Sequence, residues 1–140
     1  MKTATNDRTL TELDHVRLKN LVQRQRHGGG GPAAVDAIDE LLDDATLVPS
    51  TQVAPDVVTM YARVRLRDTS TGERSMLTVC YPPDAHAERG FVSVLSPVGG
   101  SLIGLRLGDV ARWTTPAGEP RAAAIEAILY QPEASGDYTR

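Results

Sequence analysis

Cysteine occurs once in this chain of 140 residues, which excludes a disulfide framework and a cysteine-based metal site. That thiol, Cys80, lies in an apolar stretch and reads as a small buried side chain. Aromatic residues are also scarce. One Phe, one Trp and four Tyr are too few rings for the stacking platform that binders of single-stranded nucleic acid need. No apolar run approaches the roughly 20 residues that span a bilayer, and the opening MKTATNDRTL has no apolar stretch that could act as a secretion signal. A cytoplasmic protein without membrane contact is expected. Positive charge is in deficit, with 15 Lys and Arg against 18 Asp and Glu, so a nucleic-acid coat is excluded and any nucleic-acid contact has to be local. The length suits one compact domain with an appendage.

The first patterned section covers residues 9–45. Thr9 with Glu12, and Thr11 with Asp14, have capping-box spacing, which predicts a helix beginning near residue 10. Leu13, Val16, Leu18, Leu21 and Val22 give it an apolar stripe, and Gly28–Gly31 stop it by His27. Pro32 suits the first position of a second helix, in which Val35, Ile38, Leu42 and Ala45 form a narrow coiled-coil seam. Two such helices joined by four glycines predict an antiparallel hairpin. Folding about the glycines sets Arg24 near Asp36, Lys19 near Glu40 and Arg17 near Asp43. Pairs of this kind on a solvated surface contribute only about 0 to 1 kcal/mol each, so the hairpin needs further support.

Residues 46–56, with two prolines and no periodicity, read as a linker. Beyond it, Val58, Met60, Ala62, Val64 and Leu66 alternate with Thr59, Tyr61, Arg63, Arg65 and Arg67, which predicts a half-buried strand. Asp68–Gly72 form a turn, Met76–Tyr81 a returning strand, and Phe91–Leu95 a short third strand. Ser96 and Pro97 supply an N-cap and a first-turn proline for a short helix that Gly104 ends. Strands follow at Val110–Thr115 and at Arg121–Tyr130; the latter is alanine-rich but alternating, after a hairpin turn. The expected class is α+β, with an N-terminal helical hairpin over residues 1–46 and a small antiparallel sheet packed on one short helix over 47–140.

Residues that could carry chemistry are few. His15, His27 and His86 lie in three unrelated segments, so spacing offers neither a metal triad nor a nucleophile and base. Gly28–Gly31 lack the strand and the Lys-Ser/Thr ending of a phosphate loop. The second helix has carboxylates that would suit Mg²⁺, but Asp36, Asp39, Glu40 and Asp43 face basic residues of the first helix. No metal or cofactor is expected.

Two stretches resemble a known family. Gly90-Phe-Val-Ser-Val-Leu-Ser96-Pro97-Val98-Gly-Gly-Ser-Leu102-Ile-Gly104-Leu-Arg-Leu-Gly108-Asp109 and Thr115-Pro-Ala-Gly118-Glu119 resemble the C-terminal domain of the Gre transcript-cleavage factors. Thr11-Glu12-Leu13-Asp14-His15-Val16-Arg17-Leu18, and the ending from Leu129 through Gln131-Pro132-Glu133 to Asp137, resemble the branch of that family that regulates nucleoside diphosphate kinase. The resemblance implies an FKBP-like C-terminal fold and a coiled coil that enters the secondary channel of RNA polymerase. It also implies docking on the channel rim through Ser96, Pro97 and Val98. Association with DNA enters by family resemblance only, and no sequence-specific nucleic-acid contact is expected.

Gre fingers are longer and carry acidic tips that help to hold a catalytic Mg²⁺, whereas this finger ends in Gln25-Arg26-His27 and glycines. Transcript cleavage therefore does not carry over. Few aromatics also leave no prolyl-isomerase pocket. The expectation is a monomeric, non-enzymatic regulator that competes with Gre-type factors and affects nucleoside diphosphate kinase levels. Its expected partner-facing residues are Ser96, Pro97, Val98, Arg24, Arg26, His27, Asp36 and Asp39. The alternatives are a cleavage-stimulating factor, a weak isomerase, or a structural adaptor acting through the hairpin.

Overall fold

The computed structural model describes residues 8–27 and 32–136, without the side chains of residues 27 and 32–34. The expected glycine tip and the His27 side chain lie outside the described residues. The elements are β1 (Thr9–Thr11), α1 (Glu12–His27), α2 (Pro32–Asp44), β2 (Thr46–Val48), β3 (Arg63–Asp68), β4 (Arg74–Cys80), β5 (Phe91–Ser93), α3 (Pro97–Leu102), β6 (Val110–Thr114) and β7 (Pro120–Tyr130). The fold is a mixture of helix and sheet, with the helices concentrated near the N-terminus.

Thr11 caps α1: its Oγ1 accepts from the Asp14 N–H at 3.0 Å, as the capping spacing predicts. The buried stripe differs from the expected one. Asp14, Leu18, Leu21 and Val22 face inward, while Val16 is 55% exposed. Position 16 lies about 200° around the helix from position 14, so one face cannot hold both. In α2 the spacing of Val35, Ile38 and Leu42 does mark the buried face, and all three join the hydrophobic cluster that fills the sheet.

The two helices run in opposite directions. At one end Arg26 Nη2 donates to Asp36 Oδ1 and Asp39 Oδ2, both at 3.0 Å; at the other, His15 Nε2 donates to Leu42 O at 3.1 Å. The pairing register is displaced by two to three residues from the expected one. Arg26 rather than Arg24 meets Asp36, and Lys19 meets Asp43, at 3.9 Å, rather than Glu40. Residues 46–56 do more than link. β2 pairs in parallel with β1, and Thr46 N donates to Arg8 O at 2.9 Å, which ties the end of the helical section back to its beginning.

The main sheet has the order β5-β4-β3-β7-β6. It is not wholly antiparallel as expected, because β5 runs parallel to β4 after a crossover through residues 81–90. Val64, Leu66, Val79, Ala111, Ala123 and Ile125 form its buried face, and α3 covers them with Leu102, beside Ile103. The alternation at residues 58–66 marks burial, but only residues from Arg63 onward are strand. Tyr61 adopts a left-handed backbone (φ 67), and the N–H of Ala62 closes a turn onto Thr59 O at 3.0 Å. This break reverses Thr59, expected on the open side, into a fully buried position. The alanine-rich stretch at residues 121–130 is strand, paired to β3 and β6.

Candidate functional site

The loop from Ser93 into α3 is held by its own polar groups. Ser96 Oγ donates to Ser93 O at 2.6 Å and accepts from Gly99 N at 3.1 Å; Ser93 Oγ accepts from Leu95 N at 3.0 Å. A side chain at Gly99 would put its Cβ 2.1 Å from Ser93 O, so only glycine lets α3 sit this close over the turn. The three expected docking residues therefore divide their roles. Ser96 fixes the loop, Val98 packs half-buried against the core, and Pro97 at the first helical position is exposed.

Beside Pro97 opens a groove of about 850 Å³ between α2 and β6, whose apolar walls include Ile38, Leu41, Leu95 and Trp113, with Arg112 at one side. None of these lining residues was expected in the site. The heptad-like spacing of Ile38 signals burial but not which neighbour buries it, and Arg112 and Trp113 come close only through the β6–β7 hairpin. Arg8 braces the same corner, its Nη1 donating to Ile103 O at 2.7 Å and to Gly100 O at 3.2 Å.

The expected residues on the helices form a second group towards the other end of the pair. Arg26 bridges Asp36 and Asp39, and Arg24 is exposed. Among the described residues, no three His, Cys, Asp or Glu side chains are grouped as a metal site, and no helix is long and apolar enough to cross a membrane.

A pair of buried acids was also unforeseen. Asp14 Oδ2 accepts from Met60 N at 3.1 Å, and Glu133 Oε1 accepts from the Thr59 hydroxyl at 2.7 Å. Burial, partly opposed by the Met60 N–H and reinforced by the nearby Glu133, pushes the Asp14 carboxyl up to about 7. The Tyr81 hydroxyl nearby is raised by its own burial and then by Asp14. The signal in the sequence was an acid in phase with the Leu18 stripe.

Between the ordinary aspartate range and about 7, the folded chain holds a proton at Asp14 that the unfolded chain has released, so this group's contribution is largest in acid and is lost as pH rises through about 7. Asp14→Asn should flatten the fall in Tm between about pH 5 and pH 8. Parallel pH profiles for the two proteins would count against the assignment.

With this geometry in view, the class can be stated: residues 52–130 match the family described as "Transcription elongation factor, GreA/GreB, C-term", and the chain belongs to it. More particularly, it is 37% identical over 129 residues to the regulator of nucleoside diphosphate kinase of Escherichia coli strain K12, spanning 92% of this chain and 93% of that one. A solved structure, the prokaryotic transcription elongation factor GreA/GreB from Nitrosomonas europaea, superposes with a TM-score of 0.73 at 31% identity, covering 89% of this chain and 100% of that one. The transcription elongation factor GreA of Maridesulfovibrio salexigens is 27% identical over 100 residues, which are 71% of this chain and 62% of that protein. These relatives are named as a regulator of nucleoside diphosphate kinase and as transcription elongation factors.

Proposed function

We propose that the protein is a non-enzymatic transcription regulator that binds RNA polymerase at the rim of the secondary channel, competes there with Gre-type factors, and through transcription affects nucleoside diphosphate kinase levels. Residues 47–140 serve as an FKBP-like docking domain and residues 1–46 as a short coiled-coil finger. The protein acts as a cytoplasmic monomer without a cofactor.

The observation that carries this reading is the loop at Ser96. Its serine hydroxyl is fully engaged in holding the backbone, so Pro97 stands exposed on a rigid turn beside an apolar groove, a form that suits docking with little entropy to lose. The non-catalytic part rests on Arg26. The guanidinium binds Asp36 and Asp39 together, and acids neutralised in this way are poor ligands for a second Mg²⁺ in a phosphodiester site.

Pro97→Glu places a charge on the docking surface without touching the core. Capture of core RNA polymerase should fall at least about tenfold, equivalent to about 1.4 kcal/mol, while circular dichroism and Tm stay unchanged. In a backtracked elongation complex the protein should not stimulate cleavage and should inhibit a Gre factor. Metal-dependent cleavage that disappears in Asp36→Asn would establish the enzyme reading instead.

A further inference from the structure

The protein carries more acids than bases, yet one surface reverses that balance. Val64 and Leu66 of β3 point into the core, so Arg63, Arg65 and Arg67 point out of the open face of the sheet. The ladder places Arg65 opposite Met76 and Arg67 opposite Arg74 on β4, and sets Arg112 of β6 opposite Ala122 of β7. Within these strands the acid on this face is Glu126, whose Oε1 accepts from Arg74 Nε at 2.7 Å and Arg65 Nε at 2.8 Å. Those two arginines hold its carboxyl down at about 2, so it stays ionised and fixes both guanidiniums. Five guanidiniums against one carboxylate leave a net of four positive charges.

The relief of the face matters as much as its charge. Arg67, Arg65 and Arg112 lie opposite Ala124, Ala127 and Ala122 of β7, so small side chains separate the guanidiniums and leave them proud of the backbone. The patch measures about 13 Å along β3 and about 14 Å across four strands. At its margins Arg112 borders the groove beside Pro97 and Arg74 a smaller one of about 120 Å³, both otherwise lined mainly by residues of the covered side. Its ring content is too low for stacking unpaired bases.

We infer that the open face of the sheet is a docking surface for the phosphate backbone of duplex DNA, without sequence preference. Arginine forks suit phosphate oxygens, and a duplex offers one charge per about 1.7 Å of axis to a face that needs only charge and close approach. This goes beyond binding to polymerase and does not depend on it.

The test is fluorescence anisotropy of a labelled random-sequence duplex of about 20 base pairs, titrated with the full chain over a range of salt. Affinity should fall about a hundredfold between about 50 and about 200 mM salt, a log–log slope near −3.5. Replacing Arg63, Arg67 and Arg112 together by Ser should bring the slope to about −1 and weaken binding at low salt more than tenfold, whereas Arg24→Ser, on the helices, should change neither. Circular dichroism checks the fold of the triple variant, and the single change Arg67→Glu gives the same readout if the triple variant unfolds. No binding at low salt, an unchanged slope in the triple variant, an equal loss with Arg24→Ser, or preference for single-stranded RNA or an acidic peptide would each overturn the inference.

Discussion

Ile38→Asp should cost about 4 kcal/mol or more, a large part of the stability of a domain of this size. Ile38 is 2% exposed, and its Cδ1 would lie 3.6 Å from a Cβ at Gly100, so it is packed between α2 and α3 as well as in the helical seam. The substitution removes a buried aliphatic side chain and puts a carboxylate into that apolar cluster. Ile38→Val, which shortens the side chain without adding charge, should cost about 1 kcal/mol.

The form of the transition is informative too. Leu18, Val35, Ile38 and Leu42 belong to the same contiguous cluster as Val64, Leu66 and Ile125 of the sheet. Denaturant unfolding followed by far-ultraviolet circular dichroism, which reports mainly α1 and α2, should coincide with that followed by the fluorescence of Trp113 on β6. The proposed finger and docking domain would then share one cooperative unit. A Trp113 transition left in place while the helical signal is lost would instead show two independent cores.

How much of this was legible depends on the range of the interactions involved. The α3 segment is encoded within a few residues: Ser96 as cap, Pro97 at the first position and Gly104 (φ 84) beyond the end each answer a local backbone requirement. The alternation of residues 58–66 was also visible, but it records burial, not conformation. Only the contacts of Tyr61 N–H with Val79 O and of Met60 N–H with Asp14 show where the chain breaks before β3. Parallel pairing between β1 and β2, and between β4 and β5, joins residues whose proximity depends on the whole topology. The groove beside Pro97 was illegible for the same reason, since α2 and β6 meet only when both helices lie against the sheet. The helix register was missed by two to three residues because glycines between helices fix no turn geometry in the sequence.

Gly99→Ala should be more damaging than its size suggests. An added Cβ would lie 2.1 Å from Ser93 O, 2.8 Å from Ser93 C and 3.1 Å from Ser96 Oγ, and the first two are backbone atoms that no rotamer change can move. Relief requires α3 to lift from the turn, which stretches the bonds from Ser96 N and Ser96 Oγ to Ser93 O, at 2.9 and 2.6 Å. Alanine gains about 1 kcal/mol of helix propensity over glycine, but overpacking of this kind costs about 1 to 3 kcal/mol, with the backbone clash placing this site at the upper end. A net loss of about 2 kcal/mol is expected in denaturant titration. Gly100→Ala is the internal control: its Cβ would meet Val94 O at 3.1 Å and Ile38 Cδ1 at 3.6 Å, a tight fit that the propensity gain nearly offsets. Because the same turn holds Pro97 outward, Gly99→Ala should lose polymerase capture together with stability, Pro97→Glu should lose capture alone, and Gly100→Ala should largely retain both. A Gly99→Ala protein of unchanged stability would show that α3 does not rest on the Ser93 carbonyl and would remove the structural basis for docking through this loop.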